Sequence, residues 1–320
     1  MTVGAELFGD VLELAQKITV HYLPPPPPSI TRNLKTHFVI FGILKVLFQI
    51  YSLIRLLFTI PKFSYILVQV LPPSHHVDPQ NPPSNPSIAI AQFVCILRSA
   101  RLVIDWHNLG YTMLALRLTP HHPLVRLYQM YEQFFSKFAY AHFAVTDMMR
   151  KHLMEKYKLR NVTTLRDLPP PRYKPLTQEA QDLFLAALPE TQSVDRKTTK
   201  IIVTSTSFTE DEDLNLLLWV LRRCYHTENG PRILLLITGR GPQEPKYRHM
   251  ISTSILSGTD PDAKCTAKML WLEPEDYPRL LASADLGISL HTSSSGLDFP
   301  MKVIDLFGCG TPVCAIRFAA

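Results

Sequence analysis

The sequence has no CxxC pair, no zinc-ligand spacing, no basic helix and no aromatic–glycine RNA-binding motif. These gaps exclude a zinc-held domain and speak against a nucleic-acid reader. Its five cysteines, Cys95, Cys224, Cys265, Cys309 and Cys314, are odd in number and irregular in spacing. They read as reduced thiols in a cytosol-facing protein. The first residues, MTVGAELFGDVLELAQ, are acidic and lack a signal-peptide pattern. Charge is sparse at 19%, against 46% hydrophobic residues, which is a globular composition with an apolar lean. The net charge of +6 is too diffuse for nucleic acid. It fits an anionic ligand such as a diphosphate, or an anionic membrane surface.

What is present organises itself into two α/β halves, as 320 residues allow. LPPPPP at Leu23–Pro28 is a stiff surface connector. The apolar run Phe38–Ile60 carries Lys45, Gln49, Ser52, Arg55 and Thr59 along one helical stripe. A core helix, an interfacial membrane helix and a span all fit this pattern. Beyond it, apolar strands alternate with helical segments: YILVQV, RLVIDWH and AHFAV, with helices over Pro86–Ala100, Leu124–Phe138 and Asp147–Tyr157. That alternation predicts a parallel sheet covered on both faces. DLPPPRYKP, Asp167–Pro175, breaks the pattern. The expected division is residues 1–175, a linker over 176–199, and a second domain over 200–320. The second domain reads as KIIVTSTSF, a helix from Asp211, RILLLITGRGP, a helix within WLEPEDYPRLLASADLGISLH, the helix MKVIDLFGCG and the strand PVCAI.

Open parallel sheets bind ligands beyond the carboxyl ends of their strands, so the strand-to-helix junctions hold the candidate residues. In TSSSGLDFPMK, Ser294, Ser295 and Gly296 precede a helix start whose free N–H groups favour a phosphate. Lys302 adds a positive charge for a diphosphate. Asp298 can accept from sugar hydroxyls and Asp305 from ribose hydroxyls. A plain serine-rich loop with a cap explains the same residues. ITGRGP offers Gly239 and Gly241 for close backbone approach and Arg240 for phosphate; a tight turn explains it equally. Ser205 and Thr206 put hydroxyls at a strand end. In DWHN, Asp105 or His107 can take a proton from an attacking hydroxyl, or Asp105 can merely cap a loop. His75, His76, His121 and His122 sit between prolines and read as surface residues. No metal is required by these residues, although magnesium can assist at a diphosphate.

LVIDWHNLGY, TSTSFTEDED, ITGRGP, WLEPEDYPRLLASADLG and HTSSSGLDFPMKVIDLFGCGTPVCA together resemble one family, chitobiosyldiphosphodolichol beta-mannosyltransferase, from about Lys62 to Pro312. The resemblance implies a GT-B fold, two Rossmann-like doubly wound domains facing a cleft. It also implies an inverting transfer of mannose from GDP-mannose to dolichyl-diphosphate-chitobiose at the cytosolic face of the endoplasmic reticulum membrane. Other transferases of that pathway are implied partners, and nucleic acid is not. GT-B relatives carry an acidic-x7-acidic element for the donor; Asp298 with Asp305 is one residue shorter. The family starts with an anchor helix, a strand and a glycine loop and runs on past Ala320, so both domains are expected to be incomplete. VLPPSHHVDP, ahead of QNPP, reads as an insertion. Two alternatives stand beside this reading. One is a GT-B enzyme with another donor or lipid acceptor; the other is an inactive fragment that only binds a partner.

Overall fold

A computed structural model describes residues 19–25, 27, 38–70, 87–192, 194–209, 212–225, 230–260 and 263–317. The expected insertion after Val70, QNPP, His75, His76 and Asp211 lie outside the described residues. The chain forms two compact units, one from residues 1–66 and 86–101, the other from 67–85 and 102–320.

In the first unit, helix α1 (Phe38–Thr59) packs against helix α2 (Ser87–Arg98). The last carbonyls of a helix have no partner within it. Arg98 supplies one: its Nη1 donates to Leu57 O at 2.5 Å and Ile60 O at 3.0 Å, and its guanidinium lies 4.7 Å from the Phe63 ring centre. The polar stripe foreseen along α1 is split. Lys45 and Ser52 are buried, whereas Leu44, Leu47, Tyr51 and Phe58 are exposed. Among the described residues, no helix is long and apolar enough to cross a membrane.

The second unit contains two sheets. The first runs β1 (Tyr65–Val70), β2 (Arg101–Trp106), β3 (Ala141–Ala144), β4 (Val162–Thr164), with β2–β3 and β3–β4 parallel. Between these strands lie α3 (Gly110–Leu118), α4 (Pro123–Ser136) and α5 (Asp147–Glu155). Trp106 is fully buried against Tyr157, ring centres 5.9 Å apart, and its indole N–H donates to His142 Nδ1 at 3.3 Å. Burial pushes His142 down to about 4, so its ring stays neutral and can accept that bond. Helix α4 starts well, with proline at its first position and His122 accepting the Leu124 N–H at 3.2 Å.

The second sheet has the order β7-β6-β5-β8-β9, and every neighbouring pair is parallel. Its strands are β5 (Thr199–Ser205), β6 (Arg232–Thr238), β7 (Cys265–Leu270), β8 (Leu286–Ser289) and β9 (Val313–Ala315). Successive side chains of a strand point to opposite faces. Leu234 and Leu236 of β6 therefore meet Ile201, Val203, Leu280, Leu281 and Leu306 on one side. Leu235 and Ile237 meet Leu214, Leu217, Leu218 and Leu221 on the other. The first layer comes from α6 (Gln178–Ala187), α9 (Tyr277–Ser283) and α10 (Met301–Gly308); the second from α7 (Leu214–Tyr225) and α8 (Glu244–Ser252). Each buried leucine contributes roughly 2 kcal/mol of apolar transfer. Periodicity found most of these elements but missed α3, β4, α8 and β7. Helix α6 falls in the expected linker, yet its Phe184 and Leu185 belong to the core of the second sheet.

Candidate functional site

At the carboxyl end of the first sheet, Val70 O accepts the N–H groups of His107 and Asn108, each at 3.2 Å. This aims the end of β2 upward. His107 Nε2 lies 2.9 Å from Asp105 Oδ2, and Gln69 Nε2 donates to the same oxygen at 3.2 Å. The other imidazole nitrogen, Nδ1, lies 3.4 Å from Asp167 Oδ2. Burial opposes charge on His107, but hydrogen bonds and charge from Asp105 and Asp167 outweigh it and raise the ring to about 9. The imidazole is therefore a cation at neutral pH, clamped by two acids. Asp167 escaped the sequence reading because it stands in the proline segment taken as a junction. The signal available was its place just after a three-residue strand, VTT, too short to recognise.

The second centre lies at the topological switch point. From β5 the chain winds to β6 and β7 on one side, and to β8 and β9 on the other. The strand-end loops after β5 and β8 leave the sheet at this point, where ligands of open parallel sheets bind. An isolated bridge between Glu212 and His291 ties them. Glu212 is almost fully buried. Its Oε2 accepts the Thr206 hydroxyl and the Ser207 N–H, both at 2.7 Å, and its Oε1 pairs with Lys302 Nζ. Lys302 stands in the first turn of α10, whose N-cap, Pro300, makes no side-chain cap. Within TSTSFTEDED nothing in the sequence marks Glu212; its burial and its pairing with Lys302 do.

The remaining expected residues are engaged as follows. Ser205 Oγ lies 2.7 Å from Tyr277 Oη. Asp298 is buried and accepts from the hydroxyls of Ser293 and Ser295, with His291 Nε2 3.6 Å from its other oxygen. Burial raises this carboxyl, but His291 and Ser293 outweigh it and hold the group below its ordinary value. Asp298 thus braces the Ser293–Gly296 turn, where Gly296 has φ +69°. Asp305 is pushed up to about 6 by burial, with Arg172 and the Tyr173 hydroxyl pulling back. Arg240 lies 4.2 Å from the Trp271 ring centre, a cation–π contact. A Cβ on Gly239 would fall 1.7 Å from Thr206 O, and one on Gly241 1.7 Å from Ser207 O. These glycines let two loops meet main chain to main chain.

Loops beside the two centres touch. Thr112 Oγ1, on α3, lies 3.1 Å from Ser294 Oγ. The Thr146 hydroxyl accepts the Met149 N–H to cap α5 and donates to Leu297 O at 2.5 Å. A cavity of ≈ 390 Å³ is lined by Val145–Met148, Arg166, Asp167, Pro169, Phe299, Ile304 and Phe307. Among the described residues no His, Cys, Asp and Glu cluster is arranged to hold a metal ion.

Two parallel α/β domains, the second doubly wound, whose strand-end loops meet form a GT-B fold. Solved structures share it at low identity. A sucrose-phosphate synthase from Thermosynechococcus elongatus is 12% identical, with 85% of this chain and 60% of that chain covered and a TM-score of 0.55. An alpha,alpha-trehalose-phosphate synthase (UDP-forming) from Burkholderia xenovorans is 10% identical, with 89% and 65% covered and a TM-score of 0.58. No family model matches the chain. Sequence relatives are far closer. The chain is 36% identical to the chitobiosyldiphosphodolichol beta-mannosyltransferase of Dictyostelium discoideum, over 94% of this chain and 68% of that protein. Against the proteins of that name from Candida albicans and Yarrowia lipolytica it is 37% and 38% identical, over 96% and 99% of this chain. It belongs to the chitobiosyldiphosphodolichol beta-mannosyltransferase family. It spans 64% of the length of the Candida relative and 65% of the Yarrowia one.

Proposed function

We propose that the chain moves mannose from GDP-mannose to dolichyl-diphosphate-chitobiose with inversion. The observation that carries this reading is that two sheets whose strand-end loops touch hold, one, an acid-rich centre, Asp105–His107–Asp167, and, the other, a cation at an uncapped helix start, Lys302 on α10. The acceptor hydroxyl attacks the anomeric carbon of mannose. A new C–O bond forms as the bond from that carbon to the diphosphate oxygen breaks. Asp105 takes the proton. His107 already carries one at neutral pH, so it orients Asp105 and does not serve as the base. Lys302 and the first N–H groups of α10 receive the charge developing on GDP. Glu212 holds Lys302 in place before the donor arrives, which spares reorganisation during transfer.

The donor is tested with a panel of GDP- and UDP-sugars on dolichyl-diphosphate-chitobiose. Turnover with GDP-mannose is expected; turnover only with a UDP-sugar sinks the assignment. The cytosolic face of the endoplasmic reticulum membrane is the proposed location. Exposed apolar side chains on α1 (Leu44, Leu47, Tyr51, Phe58) and on α4 (Leu124, Leu127, Phe134) favour lipid contact. The chain should float with anionic liposomes, and a chain that stays at the bottom of the gradient refutes this location.

A further inference from the structure

Glu132 lies in the middle of α4 with no exposed surface. A buried carboxylate is costly unless hydrogen bonds satisfy it. Its Oε1 accepts the Gly110 N–H at 2.8 Å and its Oε2 the Tyr111 N–H at 3.2 Å. These are the first two residues of α3, donors that a helix start leaves without partners. Leu109, the N-cap of α3, supplies no side-chain cap. The cap comes instead from the neighbouring helix. Gly110 makes the approach feasible, since a Cβ there would sit 2.4 Å from Tyr128 Oη and 2.7 Å from Glu132 Oε1.

The turn that Glu132 holds has two neighbours that matter. Immediately before it stands the Asp105–Asn108 loop. One residue beyond it, Thr112 meets Ser294 of the second domain at 3.1 Å. Ser294 also donates to Asn108 Oδ1 at 3.5 Å. A shift at the start of α3 therefore moves both the acid centre and its contact with the donor loop.

We propose that Glu132 is a positioning residue for transfer, which caps α3 from within the fold and so fixes the Asp105–Asn108 loop against the Ser294 loop. It touches no substrate. Its kinetic consequence rests on the mannosyl-transfer reading; its structural consequence does not. Burial pushes the carboxyl up to about 7, and the Tyr111 and Gly110 N–H groups pull it only partly back. The titratable groups facing it are the hydroxyls of Tyr111 from α3, Tyr128 from α4 and Tyr157 from the segment after α5. Among the described residues no cation is a cause of its shift, so a proton can enter near neutrality. It then occupies an oxygen that had accepted a backbone N–H.

The test uses the full chain and Glu132→Gln, with amide hydrogen exchange and mannosyl-transfer kinetics read from about pH 6 to pH 8 around the carboxyl's shifted value. In Glu132→Gln, exchange at Gly110 and Tyr111 should quicken about tenfold or more. The kcat should fall roughly 10- to 100-fold, the scale of a small misplacement at a reacting centre, with donor KM within about twofold. The parent chain should lose kcat as pH falls through about 7, and this limb should vanish in the variant. Gly110→Ala disturbs the same turn from the other side and should lower kcat in the same way. Unchanged exchange at the two amides in Glu132→Gln overturns the cap. Faster exchange with kcat intact overturns the positioning role, as does a loss of kcat that merely tracks a lower melting temperature. Should neither chain transfer mannose while the two amides open in the variant, the cap stands and the mannosyl-transfer reading is what fails.

Discussion

The two centres hold charge in opposite ways. At the first, one imidazolium stands between two acidic side chains, all three partly exposed at 11–21%. At the second, one ammonium meets one acid exposed at only 3%, and an uncapped helix start adds positive partial charge. The first therefore has acid in excess and the second positive potential in excess. A displacement at a sugar carbon needs both: a place for a proton at one end and a place for a leaving anion at the other. The arrangement of each centre, more than the identity of any residue in it, separates the two tasks.

Substitution can break this contrast. The largest effect is expected from Asp105→Asn, which should lower kcat by about 10³-fold, the middle of the range for a lost general base, while leaving donor KM near its parent value. Initial rates at saturating GDP-mannose read this directly, and a variant with near-normal turnover places the base elsewhere. At the other centre, Lys302→Ala should lower kcat/KM for the donor by about 10²-fold, as loss of one charge-stabilising donor does. It also strands Glu212 as a buried charge, at a cost of about 3 kcal/mol in a denaturant titration. The double change Lys302→Met with Glu212→Gln should restore stability without restoring turnover, and full recovery of both argues that the pair is only structural.

The contrast sharpens with pH. His107 has a folded pKa of about 9 against an ordinary 6.5. Because the folded value is the higher, the stability it brings is complete below 6.5 and is lost as pH rises through about 9. Catalysis by Asp105 beside a cationic His107 should fall over the same rise, and His107→Ala should flatten that limb of the profile. A rate that climbs through the same window makes His107 itself the base. The smallest effect belongs to Arg240→Ala, which gives up a cation–π contact of about 0.5–1 kcal/mol. That contact is made within the protein and not to the donor, so donor KM should move less than about twofold; a tenfold rise shows that Arg240 leaves Trp271 for phosphate.

Most of the second sheet was legible because its strands are buried on both faces and its helices carry leucine at helical spacing. LLLIT and the leucines of α7 could scarcely fold otherwise. Strand β7 was missed because CTAKML is short and mixed, and it gains its place from pairing with β6, a long-range fact. The strand-end rule directed attention to Asp105, His107 and Lys302, which stand at or beyond the carboxyl ends of their strands. Their partners were hidden for the same reason as β7. Asp167, Glu212 and Glu132 approach from other loops or helices, and each acid looks ordinary where it stands in the chain. Helix α1 shows a further limit: spacing revealed its stripe but not that Lys45 and Ser52 would face inward and leucines outward.

The glycine-backed meeting of the loops after β5 and β6 has a consequence for variation. Where Gly239 and Gly241 press on Thr206 O and Ser207 O, the nearest atoms are main-chain ones. The closest approach of these two loops is between peptide groups, which are the same whatever the residues. Arg240, Ser207 or Pro242 can change and alter the side chains around this contact, while the contact keeps its shape. Replacing either glycine should act instead as an all-or-none event, because a single methyl group there has nowhere to go.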